Sequence, residues 1–509
     1  MKTQHTKAEI QSVLESIPVA AVATSAGGGT RNRMMHFASD DDLNLYLATM
    51  KGDPKTVQIT HHPSVSLLVY KGGDDINDSH EVEISGKAVI VKDRKERQRA
   101  LELTAKRSPV VKHLVGAGNE GILDCIKVAP EVVKLRIFKE IVQGLPPTVL
   151  EYPENRTVVS DGEQLRTKAR SWLMEIRMPF LTASIVPVLL GSAVAWEGTG
   201  MLHWGYFALT LIAAVLLHIG ANVVNDYFDH VSGNDEANTE FVRPFSGGSR
   251  VIQSGLLSPL EVLTGGLLSF FLASLIGLYL TWARGPVVLA LGVFGFVSGM
   301  FYTGRPFNWA GRGVGELLIG LNFGVLMTLG AYFVQTQQLS WVPVLASLPV
   351  ALLITAVLWI NEFPDYAADK AVGKKTLVVR LGRSRASVVY GALMVSAHLV
   401  ILAGVIAERL PQATLLAFIT LPLSLRAIAH ARRHYDESFD LVPANALTVT
   451  SHLATGLLLT LAYAWEGFGQ QVTAYVVILG LVFAASVAYM YLYIERQKNI
   501  FLGLKQAMD

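Results

Sequence analysis

A single cysteine, Cys125, leaves no partner for an intrachain disulfide and no thiolate set for a metal. A strong bias toward one charge sign is missing too. Lys and Arg total 43 against 41 Asp and Glu, a formal net charge of +2, so the concentrated basic field that a nucleic-acid partner requires is lacking. Residues 1–15 have no apolar core of the signal-peptide kind, which predicts that the N-terminal region stays in the reducing cytoplasm that suits such sparse cysteine. Beyond Phe180, charge itself becomes scarce. The first 170 residues are rich in Lys, Asp, Glu and His, whereas the rest is dominated by long uncharged runs. With 51% hydrophobic residues and a mean hydropathy of +0.39, the chain is too apolar to be soluble throughout. Two regions in two solvents follow.

About 20 mostly apolar residues cross a bilayer as a helix. Ten stretches qualify, at 180–196, 206–224, 262–282, 286–302, 314–334, 342–360, 386–407, 413–428, 444–464 and 472–493. They predict an all-α polytopic bundle of nine to ten transmembrane helices. Basic residues of short loops mark the cytoplasmic side. One side of the bundle carries Arg243, Arg250, Arg305, Arg312, Lys370, Lys374, Lys375 and Arg380 among others, and the opposite side only Arg284 and Arg409. That asymmetry predicts a protein of the cytoplasmic membrane with both termini inside.

Two acidic clusters stand where carboxylates are costly. The second stretch runs into Asn222-Val-Val-Asn225-Asp226-Tyr-Phe-Asp229, and the sixth into Asn361-Glu362-Phe-Pro-Asp365-Tyr-Ala-Ala-Asp369. If the helices continue, Asn222, Asp226 and Asp229 share one face, and so do Asn361, Asp365 and Asp369. Carboxylates at a helix C-terminus oppose the macrodipole, so a cation must compensate. Oxygen donors with no His or Cys beside them suit Mg²⁺. Basic residues follow each cluster: Arg243 and Arg250 the first, and Lys370, Lys374, Lys375 and Arg380 the second. Acids for Mg²⁺ and bases for phosphate oxygens are the parts needed to bind and ionise a diphosphate, and the adjacent apolar helices offer room for a long hydrocarbon tail. Asp235 and Glu240 read equally well as site residues or as solvated loop charges. Arg177 reads as a phosphate-binding group or a topology determinant, and Tyr302 as an acceptor-orienting group or an interface anchor.

The Asn225-Asp-x-x-Asp229 and Asp365-x-x-x-Asp369 pair resembles the two aspartate motifs of UbiA-type prenyltransferases. The likeness covers roughly residues 172–467 and is nearest to the 1,4-dihydroxy-2-naphthoate polyprenyltransferases of menaquinone synthesis. It rests on Asn225-Asp-Tyr-Phe-Asp with Gly233 and Asp235, on Tyr302-Thr-Gly-Arg-Pro306, on Gly315-Glu-Leu, and on Gly373-Lys-Lys-Thr-Leu-Val-Val-Arg-Leu-Gly382. The resemblance implies that Mg²⁺ bridges Asp226, Asp229, Asp365 and Asp369 to the diphosphate, with Lys370 and the neighbouring bases offsetting charge on the leaving group. An aromatic ring then attacks the allylic cation, and the attacked carbon loses its carboxylate as CO₂. This chain departs from that subgroup at Glu362, where a second Asn is frequent, and in its tenth apolar stretch.

Before residue 152 the periodicity is two. Leu43-Asn-Leu-Tyr-Leu47, Ser64 to Tyr70, Glu81-Val-Glu-Ile84 and Gly86 to Val91 read as strands, and 94–107 as a helix closed by Pro109. This suggests a small β-barrel. Arg31-Asn-Arg33-Met-Met35, Leu45-Tyr-Leu-Ala-Thr49, Lys55, His62-Pro63 and Glu83-Ile-Ser-Gly-Lys87 resemble the split barrel of pyridoxamine 5′-phosphate oxidase-like flavoproteins. That resemblance implies an FMN phosphate facing Arg33, Thr49 and Lys55, and a dimer formed through the barrel. Asp53-Pro54 stands where such proteins often have Ser-Arg, so a purely structural barrel is the alternative. The domain boundaries expected are 1–152 for the barrel, 153–170 for a linker, 171–495 for the membrane domain and 496–509 for a cytoplasmic tail. A transporter, or a sensor regulated by a flavin barrel, are the competing functions.

Overall fold

The computed structural model describes residues 5–26, 29–72, 75–155, 161–238, 240, 242, 245–254 and 256–468. The expected tenth span, the tail at 496–509 and Arg243 lie outside these described residues. The chain divides into two compact units, the first reaching Met174 and taking in Val251–Ser258, the second comprising Glu175–Arg250 and, among the described residues, 259–468.

In the first unit, strands β1 (Val19–Ala26), β2 (Gly29–Ser39), β3 (Leu45–Met50), β4 (Ser64–Lys71), β5 (His80–Ile90), β6 (Leu123–Ile137) and β7 (Thr148–Glu151) pair in the order β3-β2-β1-β4-β5-β6-β7. An additional β3–β6 pairing closes six of them into an antiparallel barrel, which removes the exposed edges an open sheet would leave. Alternate residues fill it: Val22, Phe37, Leu45, Leu47, Leu67, Val82, Ile84, Val133 and Leu135 are all buried. The two strands expected at 81–84 and 86–91 are one strand, β5, with a register shift between Ser85 and Gly86. Glycine is required there, since a Cβ on Gly86 would lie 2.2 Å from the Ala129 carbonyl oxygen. Pro130 of β6 pairs at the same irregularity, where a missing N–H does least harm. The helix expected at 94–107 spans Arg94–Ala105, capped by Asp93. Pro109 opens the following helix, Pro109–Gly116, in its first turn. Part of the expected linker is helical, as Asp161–Glu175.

The second unit holds eight helices long and apolar enough to cross a membrane among the described residues: Met178–Thr199, Trp204–Ser232, Pro259–Arg284, Gly315–Thr336, Trp341–Ala371, Arg383–Ile406, Gln412–His434 and Val442–Gly467. The stretch expected to span at 286–302 forms the shorter helix Val287–Met300. Its 14 residues reach roughly 21 Å at 1.5 Å per residue, less than a hydrocarbon core of about 30 Å. Arg284, one of the two bases on the sparsely charged side, donates to the carbonyls of Val334 and Gln335 at 2.6 and 2.8 Å, and so closes the end of Gly315–Thr336.

Two helices outrun the bilayer. Trp204–Ser232 has 29 residues and Trp341–Ala371 has 31, and the extra turns carry the two acidic clusters. The first ends at Gly233, whose φ of 76° supplies the left-handed C-cap. The second continues through Pro364, which cannot donate to the carbonyl of Ile360. Asn445 Nδ2 takes that donor's place, 3.3 Å from the Ile360 oxygen. A six-residue π-helical turn, Leu321–Leu326, interrupts Gly315–Thr336 and sets Asn322 and Phe323 against a cavity.

Candidate active site

The acidic ends of Trp204–Ser232 and Trp341–Ala371 meet around one polar chamber of about 210 Å³. Its wall includes Asn222, Asn225 and Asp229 from the first helix, and Asn361, Glu362, Asp365 and Asp369 from the second, with Lys374 reaching in from the loop beyond. Lys374 Nζ lies 3.7 Å from Asp229 and 3.5 Å from Asp369, so one cation links the two clusters. Burial works against its charge, yet Asp229 and Asp369 hold the ammonium well above the ordinary lysine range.

Amides hold the carboxylates in place. Asn225 donates to Asp229 at 3.3 Å while accepting from Thr303 at 2.6 Å. Asn238 donates to Asp365 at 2.6 Å, and Asn445 to Asn361 at 2.8 Å. Asp226 is buried beside the chamber rather than on its wall. Its carboxylate accepts from Arg177 at 2.6 Å and from the Ser249 backbone N–H at 2.8 Å. Ser249 also donates to Glu175 at 2.5 Å. Burial, with Asp226 close by, raises both Glu175 and Asp235 above the usual carboxylate range. Arg177 has a φ of 51°, a left-handed conformation uncommon outside glycine and found preferentially at functional sites. The loop beside it needs Gly248, with a φ of 71°, because a Cβ would meet Arg177 at 3.2 Å and Asp226 at 3.3 Å.

A second, largely apolar cavity of about 550 Å³ adjoins the chamber. Ala213, Leu217, Leu278, Leu289, Phe296 and Met327 are among its walls. Arg177, His218, Asn222, Asn225, Tyr302 and Phe323 line both spaces. Tyr302 is therefore at the junction, where burial lifts its phenol above the ordinary range.

Several expected bases are placed elsewhere. Lys370, Lys375 and Arg380 are absent from the chamber wall. Lys370 sits 5.7 Å over the Tyr366 ring, and Arg380 is engaged by the carbonyls of Lys375 and Arg312. Arg250 is turned to the Asp235 carbonyl. Asn238, Ser249, His218 and Asn445 belong to the site but carry no signal of their own in the sequence. Only the Asn234-Asp235…Asn238 run, polar residues just past a motif helix, offers a local hint.

The donor set fits Mg²⁺, being oxygen throughout, and the buried Asp369 Oδ1 accepts no hydrogen bond among the described residues. The motif carboxylates do not crowd into a preformed cage. Among the described residues the group of three with ligand atoms within 4.8 Å of one another is His434, Glu437 and Asp440, on a distant turn. The barrel residues expected to face an FMN phosphate fit that group poorly. Lys55 Nζ is held by Asp53 at 2.5 Å and Thr49 at 2.7 Å, and Arg33 Nη2 by Gln58 at 3.0 Å. Of these groups only Arg33 Nη1 is buried without a partner among the described residues.

A chamber of carboxylates, amides and a lysine thus adjoins an apolar cavity at the ends of two membrane-type helices. The UbiA prenyltransferase family profile matches residues 184–443, half of the chain, and the chain belongs to that family. The pyridoxamine 5′-phosphate oxidase profile matches residues 6–133. The chain is 31% identical over 300 residues to the 2-carboxy-1,4-naphthoquinone phytyltransferase of Synechocystis sp., covering 58% of this chain and 94% of that protein. It is 32% identical over 267 residues to the 1,4-dihydroxy-2-naphthoate octaprenyltransferase of Mycobacterium tuberculosis, covering 51% and 86%. A solved structure of digeranylgeranylglyceryl phosphate synthase aligns over 57% of this chain and 98% of that one, at 17% identity and a TM-score of 0.38.

Proposed function

We propose that the protein transfers a polyprenyl group from a prenyl diphosphate to 1,4-dihydroxy-2-naphthoate, as in menaquinone biosynthesis. The observation that carries this reading is the junction of a carboxylate-lined chamber with an apolar cavity, one end for each half of the donor. Asp229, Asp365 and Asp369, with Asn222, Asn225 and Asn361, are the groups that would hold Mg²⁺. When bound, the ion offsets charge on the diphosphate as it departs. Asp226 serves by fixing Arg177 at the junction, and Lys374 faces the phosphate oxygens. The C1–O bond of the donor breaks, the ring carbon bonds to C1, and the carboxylate on that carbon leaves as CO₂. Preorganised charge is the main catalytic contribution.

The bundle is read as nine to ten spans in the cytoplasmic membrane, with the barrel on the cytoplasmic side. The barrel is read as a dimerisation module with a weak flavin site, because Asp53 neutralises Lys55. Purified protein in detergent, supplied with prenyl diphosphates of several lengths and a panel of aromatic acceptors, tests the reading. Mg²⁺-dependent release of diphosphate with a prenylated naphthalene product supports it. Transfer only to 4-hydroxybenzoate overturns the acceptor, and no transfer to any acceptor overturns the function.

A further inference from the structure

The two ends of a prenyl diphosphate fix where chemistry happens in this protein. Its diphosphate belongs with the carboxylates and Lys374, its tail in the apolar cavity, and its C1 carbon therefore at the junction. The attacking ring must sit there as well. Of the polar residues that line both spaces, Arg177 and Asn225 are engaged by Asp226, Asp229 and Thr303, and Asn222 stands with the Mg²⁺ donors. Tyr302 and His218 remain, and His218 is held through one ring nitrogen only.

His218 lies one helical turn before Asn222 on the face that carries the first motif. It is only 5% exposed. Nδ1 is 2.7 Å from Ser184 Oγ, and the ring stands edge-on to Phe323 with centroids 4.6 Å apart, so its orientation is fixed from two sides. Nε2 makes no hydrogen bond among the described residues, and the ring borders both cavities. Within the same bundle, His398 shows what a purely structural histidine looks like: Nδ1 pairs with the Met394 carbonyl and Nε2 with Thr420, and it borders neither cavity. An oriented imidazole with one nitrogen held and the other left at the reaction junction awaits a partner from the substrate.

We infer that His218 orients the aromatic acceptor by a hydrogen bond between Nε2 and a ring hydroxyl, with Ser184 as the positioning residue. A phenolic hydroxyl both donates and accepts, so either tautomer of His218 can pair with it. This inference rests on the prenyltransferase reading and adds the group that recognises the acceptor.

The test uses full-length protein with prenyl diphosphate, Mg²⁺ and 1,4-dihydroxy-2-naphthoate, alongside its two mono-methyl ethers. His218→Phe keeps a flat ring and loses the nitrogens, and is expected to raise the KM for the acceptor by about ten- to hundred-fold while leaving the KM for the donor unchanged. His218→Gln, which can return an amide near Nε2, should recover most of the loss. Ser184→Ala should give a smaller rise. Wild type should discriminate against one methyl ether by a similar factor, and His218→Phe should not. An unchanged acceptor KM in His218→Phe, or equal loss of donor and acceptor affinity, overturns the role. Should that variant fail to fold, equal use of both methyl ethers and the parent acceptor by wild type overturns it instead. Wild type that prenylates no aromatic acceptor at all sinks the underlying function and not this assignment alone.

Discussion

Asp53 caps the helix Pro54–His61 and at the same time holds the Lys55 ammonium at 2.5 Å. Asp53→Ser keeps a capping hydroxyl and removes the charge, so FMN should bind the full-length protein about tenfold more tightly, as read by flavin fluorescence. Unchanged affinity would place the phosphate away from Lys55. In the membrane unit, Asp365→Ala removes a chamber carboxylate and Asp226→Ala releases Arg177. Either is expected to lower turnover at saturating Mg²⁺ by about a hundredfold or more while the protein still inserts. Near wild-type turnover in both would end the two-cluster mechanism. These carboxylates are legible in the sequence because their chemistry and spacing lie within one helix turn or two. His218, Asn238 and Asn445 are not, because what makes each of them notable is a neighbour from a distant part of the chain. Lys370, Lys375 and Arg380 show the converse error, since adjacency to a motif does not decide which way a loop side chain faces.

Among elements, the helix Trp341–Ala371 continues through Pro364 only because another helix supplies a donor. Asn445 bonds both the Ile360 carbonyl that proline leaves open and the Asn361 amide of the second cluster. Asn445→Ala should therefore cost about 1–3 kcal/mol, seen as a lower thermal midpoint in detergent, and should reduce turnover through Asn361. Adding Pro364→Ala restores a backbone donor to Ile360, so the double variant should recover stability but not turnover. Additive losses in stability would show that the two positions are uncoupled. Most of these helices are legible as long apolar runs, whereas the π-helical turn at Leu321–Leu326 leaves no trace in hydropathy. Strand β6 escapes the periodicity for a related reason: Pro130 and the charges along it mask the alternation that its pairing with β5 imposes.

At the scale of the whole chain, each unit carries its own core. Val22, Leu67 and Val133 pack within the barrel, while Leu190, Val350 and Leu459 pack within the bundle. The loops of the bundle differ sharply in charge, and that difference is the orientation signal the amino-acid sequence carries. Position 198 lies at the end of the helix Met178–Thr199 and position 338 in the loop after Gly315–Thr336, both on the sparse side, and Lys375 lies in a basic loop. A Cβ on Gly198 meets nothing within 4 Å, so Gly198→Cys is tolerated sterically. The native Cys125 does not interfere, because it is buried and burial pushes its thiol up to about 11, leaving little reactive thiolate. With an impermeant maleimide added to intact cells whose outer barrier has been removed, Gly198→Cys and Gln338→Cys should label and Lys375→Cys should not. After the membrane is permeabilised, Lys375→Cys should label as well. The reverse pattern would put both acidic clusters, and the chamber they form, on the outer face, where a cytosolic prenyl diphosphate could not reach them.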